Sequence, residues 1–149
     1  MSDIYQIYGH NAHEMTLKLL EASHAIRLVP QGGSVALKPN LVIASAPDNG
    51  ATTHAGVLSG CMEYFQAHGV TDISVIEGSW VGDETMRAMK CAGYDRVCVR
   101  YGVPFYDLKK DAVRKVKTAV GDIDICCRAL DAGLLVNLPV LKGHCQTAM

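Results

Sequence analysis

The sequence predicts a three-layer open α/β sheet, mainly parallel, with helices on both faces in the Rossmann-like manner. Three observations carry this. Short apolar runs of strand type alternate with segments of helical period. The runs Ser34–Leu37 and Asp72–Gly78 are separated by a loop and one helix-length segment, as a parallel, right-handed strand–helix–strand unit requires. The last run, Leu134-Leu135-Val136-Asn137-Leu138, opens into Pro139, Lys142 and His144, the way a buried strand delivers polar side chains to the carboxyl edge of an open sheet.

The elements follow in order. Met15, Leu17, Leu19, Leu20, Ala25, Ile26 and Leu28 mark an amphipathic helix over about residues 13–28, which Pro30-Gln31-Gly32-Gly33 ends. Ser34-Val35-Ala36-Leu37 is a short strand with Lys38-Pro39-Asn40 at its exit. Residues 45–53 form a loop by composition. Thr52 or Thr53 can cap a helix from about His54 to His68, closed by Gly69. Asp72–Gly78 alternates and ends on Glu77. Asp83 or Glu84 starts a helix that Gly93 stops, and Arg96-Val97-Cys98-Val99-Arg100 is expected as a third strand. Tyr101–Leu108 is a connection into Phe105-Tyr106-Asp107-Leu108. Arg114–Val120 suits an edge strand guarded by lysines, and residues 124–132 a short turn or helix feeding the last strand. With no internal repeat or linker, residues 1–149 are expected to form a single α/β domain.

Composition bounds the function. A domain of 149 residues buries roughly 68–70% of the surface its unfolded chain exposes, enough for a real core. Fourteen Lys and Arg against fifteen Asp and Glu give a net charge of −1 and a pI near 6.6. That balance argues against nucleic acid or an acidic membrane as partner. The amino terminus lacks the charged and apolar regions of a secretion signal, and no apolar run approaches the roughly 18 residues that span a bilayer. The expectation is a cytoplasmic protein whose six cysteines are reduced thiols. No CxxC occurs, so an iron–sulfur cluster would need scattered ligands or another polypeptide. The six histidines form no HExxH and no close pair on one helical face.

Four strand exits carry polar groups: Lys38 with Asn40, Glu77 with Ser79, Asp107, and Asn137 with Lys142 and His144. In a parallel sheet these exits share one edge and can meet in one crevice. Two lysines, two carboxylates, an amide and an imidazole there suit an anionic ligand, a metal or proton transfer. Thr52 and Thr53, in a Gly-containing loop entering a helix, serve either as caps or as donors to an anion. His144, beside Lys142 and Cys145, is the candidate metal ligand. Trp80 can wall the crevice with apolar surface or, the expected role, plug the sheet edge.

The segments Val35–Val42 with its Lys-Pro-Asn, Ile73–Gly78, Tyr101–Leu108 and Leu135–His144 together resemble the DUF362 family, a domain of unknown function. The resemblance covers the chain from about residue 30. It implies that Lys38, Asn40, Glu77, Asp107, Asn137, Lys142 and His144 match the family's polar motif positions. Many members carry a ferredoxin-like module with cysteine clusters, absent from this sequence. Longer members continue past the Lys-x-His element, so this chain resembles the amino-terminal portion of a DUF362 domain, incomplete at its carboxyl end. The expectation is a redox-associated or cofactor- or metal-binding domain with an anionic-ligand crevice, any iron–sulfur cluster coming from a ferredoxin-like partner. The alternative is a non-catalytic scaffold or inactive fragment that associates into a homo-oligomer.

Overall fold

The computed structural model describes residues 3–143. It contains helices α1 (Ala12–Ala22), α2 (Ala55–Ala67), α3 (Thr85–Cys91), α4 (Tyr94–Tyr101) and α5 (Cys127–Leu130). The strands are β1 (Val35–Pro39), β2 (Ile73–Glu77), β3 (Phe105–Asp107), β4 (Val113–Thr118), β5 (Gly121–Cys126) and β6 (Leu134–Leu138).

Four strands form a sheet in the order β3-β2-β1-β6, parallel at every pairing. Helices flank it in three layers, as expected of a Rossmann-like fold. One sheet face, with Val35, Leu37, Ile73 and Val75, packs on Leu58, Cys61, Met62 and Phe65 of α2 and on Tyr94 and Cys98 of α4. These side chains are almost wholly withdrawn from water, and each large one contributes about 1.5–3 kcal/mol. On the opposite face Arg128 of α5 stacks over the Tyr106 ring of β3, 3.5 Å from its centroid. A cation over an aromatic face is attracted by the ring quadrupole.

Three expectations are corrected. The first helix stops at Ala22, because His24 takes a left-handed φ of 51° and residues 25–28 form a 3-10 turn. Arg96–Arg100 is helix, not strand. Its alternation spans too few residues to separate the two periods, and the surrounding spacing decides. Tyr94 and Cys98 are buried, Val97 and Tyr101 pack beside them, and Val99 points out at 83% exposure. Gly93 and Gly102, with φ of 76° and 64°, bracket that helix. Residues 124–126, expected within a short turn or helix, complete an antiparallel hairpin in which β5 pairs with β4 from Val113–Cys126 to Thr118–Gly121. The lysine-bearing strand therefore belongs to a separate two-stranded ribbon.

The chain runs from β1 outward through β2 to β3, then returns to place β6 on the other side of β1. Chain direction thus parts between β1 and β6. In open parallel sheets ligands sit outside the carboxyl ends of the strands at such a point.

Candidate functional site

Thr53 holds that parting together. Its Oγ accepts a hydrogen bond from the Asn40 amide at 2.9 Å and donates one to the Leu138 carbonyl at 2.6 Å. Its own amide donates to the Asn40 carbonyl at 2.9 Å. Its carbonyl accepts from the buried Tyr94 hydroxyl at 2.6 Å. Burial, with Glu77 nearby, pushes the Tyr94 phenol well above its ordinary range, so it stays a neutral donor. Every polar group of Thr53 is used, and none serves as the helix cap. His54 caps α2 instead, its Nδ1 accepting from the Gly56 amide at 3.0 Å.

The loop before Thr53 gathers the two strand exits. Asn40 Nδ2 donates to the Ala51 carbonyl at 2.5 Å, and Lys142 Nζ donates to the same oxygen at 3.0 Å. Thr52, between Ala51 and Thr53, is 3% exposed. Its hydroxyl is buried without a hydrogen-bond partner among the described residues. An orphaned buried hydroxyl costs about 1–3 kcal/mol.

At the neighbouring exits Lys38 Nζ lies 2.6 Å from Glu77 Oε2, and Glu77 Oε1 accepts from the Gly78 amide at 2.8 Å. Burial raises the Glu77 carboxyl above its ordinary range, while Lys38 and the Gly78 amide oppose the rise. Asp107 stands in register with Glu77 on β3. Its Oδ1 accepts from the Lys109 amide at 3.1 Å. Asn137, in register with Lys38 on β6, is exposed. The expected residues thus fall into two groups: Asn40, Thr52, Thr53 and Lys142 around Ala51, and Lys38 with Glu77. Asp107 and Asn137 flank the second group without bonding to it. His144 lies outside the described residues.

Lys109 escaped the sequence reading. Its ammonium donates to Ser79 Oγ at 2.9 Å, the Trp80 carbonyl at 2.8 Å and the Asp83 carbonyl at 2.6 Å. These bonds satisfy all three donors and fold the β2 exit loop onto β3. The same loop is tied to the β1 exit by the Trp80 amide on the Val42 carbonyl at 2.8 Å and by the Ala44 amide on Asp83 Oδ2 at 2.7 Å. That amide is the main reason the Asp83 carboxyl titrates below its ordinary range. Lysines two or three residues past a strand are common, so nothing in the sequence marked this one. Trp80 does not plug the sheet edge; its side chain leans over Gly82 and the residue is 55% exposed.

The donor set does not fit an iron–sulfur cluster among the described residues. Burial pushes the Cys61 thiol up to about 12 and the Cys98 thiol up to about 11, whereas cluster ligation needs thiolates. Among the described residues no three His, Cys, Asp or Glu gather closely enough to hold a metal ion, and no helix is long and apolar enough to cross a membrane.

A family model described as "Domain of unknown function (DUF362)" matches residues 35–149. No curated protein and no solved structure matches the chain.

Proposed function

We propose that this chain, which belongs to the DUF362 family, is a binding domain for a small anionic ligand seated where β1 and β6 part. The observation that carries the reading is the convergence of Asn40 and Lys142 on one neutral oxygen, Ala51 O, beside the orphaned hydroxyl of Thr52. Among the described residues no carboxylate lies within ion-pair distance of Lys142. Among the described residues its charge has no partner, and two of its three donors remain for a ligand. A hydroxyl, an amide and an ammonium at a helix-entry loop are the groups that recognise an oxyanion.

Glu77 gives the crevice its second capacity. A carboxyl raised by burial and held by a lysine can exchange a proton once the lysine turns to a ligand anion. The redox association belongs to the same proposal, with a ferredoxin-like partner supplying any cluster, because the buried thiols described above are poor ligands.

The test is calorimetric titration with phosphate, sulfate and short carboxylates on wild type, Lys142→Ala and His144→Ala. Loss of binding in both variants with unchanged circular dichroism supports the reading; unchanged binding in both overturns it.

A second reading has its own observation. Among the described residues β6 pairs with β1 alone, leaving its outer edge and the 40%-exposed Leu135 open to another strand. A stable homo-oligomer or complex through that edge, unaffected by Lys142→Ala, would favour a scaffold role.

A further inference from the structure

The carboxyl edge does not end at the anion seat. Beyond the exits of β2 and β3 lies a cavity of about 360 Å³, lined by Thr85, Met86, Glu84, Asp107, Lys109 and Lys110 among others. That volume is at the lower end of small-molecule pockets. Asp107, in register with Glu77, sets the cavity beside the strand exits already described.

Its chemistry differs from that of the seat: Glu84 and Asp107 face one lysine, Lys110, that no side-chain partner occupies among the described residues. The Lys109 ammonium is consumed by three oxygens of the β2 exit loop. Among the described residues neither Glu84 nor Asp107 has a cation within ion-pair distance. Asp107 spends one carboxylate oxygen on the Lys109 amide and retains the other. Ionised carboxylates only accept hydrogen bonds, so they call for hydroxyl or amino donors on a ligand, as an acidic residue does for ribose hydroxyls in open α/β sheets. Met86, 44% exposed, adds an adaptable apolar wall.

Spacing joins the two places. From β1 to β3 is two strand intervals, roughly 10 Å at about 4.8 Å each. Inorganic phosphate cannot bridge that span, whereas a phosphate ester of a sugar or nucleoside can. We propose that the crevice takes a phosphorylated, hydroxyl-bearing molecule, its phosphate at Lys142, Asn40 and Thr52 and its hydroxyls at Asp107 and Glu84. This rests on the anion-seat reading and extends it to a substrate class.

The experiment is equilibrium binding of inorganic phosphate, ribose phosphate and adenosine monophosphate to wild type, Asp107→Ala, Glu84→Ala and Lys142→Ala, each checked by circular dichroism. The expected result is at least one ester binding about tenfold or more tighter than inorganic phosphate, the gain one or two charge-assisted hydrogen bonds supply. Asp107→Ala or the exposed Glu84→Ala then removes that gain and leaves phosphate affinity unchanged, while Lys142→Ala weakens all three. The tighter ester tells sugar from nucleoside. Phosphate binding with no gain from either ester, or a gain that survives both carboxylate variants, overturns the extension and leaves the seat standing. No binding of any probe overturns the seat, and the extension with it.

Discussion

Lys38 and Glu77 meet at 2.6 Å across the exits of β1 and β2, and the acid is the more buried partner, at 9% side-chain exposure against 34% for the lysine. The pair is therefore lopsided: desolvation falls mainly on the carboxylate, and the lysine offsets it from a partly hydrated position.

Lys38→Met should destabilise the fold at neutral pH by about 1–3 kcal/mol, less than a fully buried pair would lose because the lysine is a third exposed. The sign of its pH dependence follows from Glu77. An acid with a raised folded-state pKa holds its proton more tightly when folded, so its stability penalty is present at neutral pH and disappears as pH falls through the folded value. Removing Lys38 raises that value further. Urea denaturation across pH should show the deficit shrinking on acidification through the raised Glu77 titration; a deficit equal at every pH would count against the assignment.

Thr52 and Thr53 should behave oppositely despite being neighbours. Thr53→Val strands the Asn40 amide and the Leu138 carbonyl and should cost about 2–4 kcal/mol, with Thr53→Ser recovering most of it. Thr52→Val removes a hydroxyl that has no partner among the described residues, and should leave stability unchanged or raise it by about 1 kcal/mol. Thermal unfolding of the three variants decides, and phosphate affinity should fall for Thr52→Val if its hydroxyl is a ligand donor.

The seat's affinity should drop steeply with salt. Lys142 is only partly buried, so its attraction for an anion is screened over a Debye length of about 8–10 Å near physiological ionic strength. Titrations at rising chloride should show phosphate affinity falling in wild type and little salt dependence left in Lys142→Ala.

Lys109→Met should loosen the β2 exit loop without unfolding the sheet. Hydrogen exchange should accelerate at the amides of Trp80 and Asp83, while β1 and β2 amides stay protected. Equal acceleration throughout would show that Lys109 serves global stability instead.

These variants also mark how much of the site was legible in the sequence. Lys38, Asn40 and Glu77 could be placed because a Pro-terminated apolar run and an alternating run fix where β1 and β2 end. Asn137 and Lys142 followed from the same argument applied to β6. What could not be read is which side chain spends its hydrogen bonds on structure. Thr53 and Thr52 are the same residue type in adjacent positions, and only the return of β6 beside β1 makes one a strut and leaves the other unpartnered. Tyr94 and Lys109 were missed for a related reason: each donates to backbone carbonyls of a distant loop, which no local pattern records. The Arg96–Arg100 error was of another kind, since alternation over five residues is compatible with either period until the flanking Tyr94 and Tyr101 are counted.

The β1–β6 pairing joins parts of the chain far apart in sequence. The Gly133 amide donates to Ser34 Oγ across 99 positions, and the Leu134 amide donates to the Ser34 carbonyl beside it. Closing so long a loop carries an entropic cost that the local β1–α2–β2 unit avoids, so β6 should dock late in folding, onto a sheet already begun. The Lys142 seat then has no counterpart in any intermediate that lacks β6. A ligand that recognises it would bind the finished fold alone and draw the folding equilibrium toward that state by mass action. Occupancy of the crevice would thereby report that the chain's most distant strands have found each other.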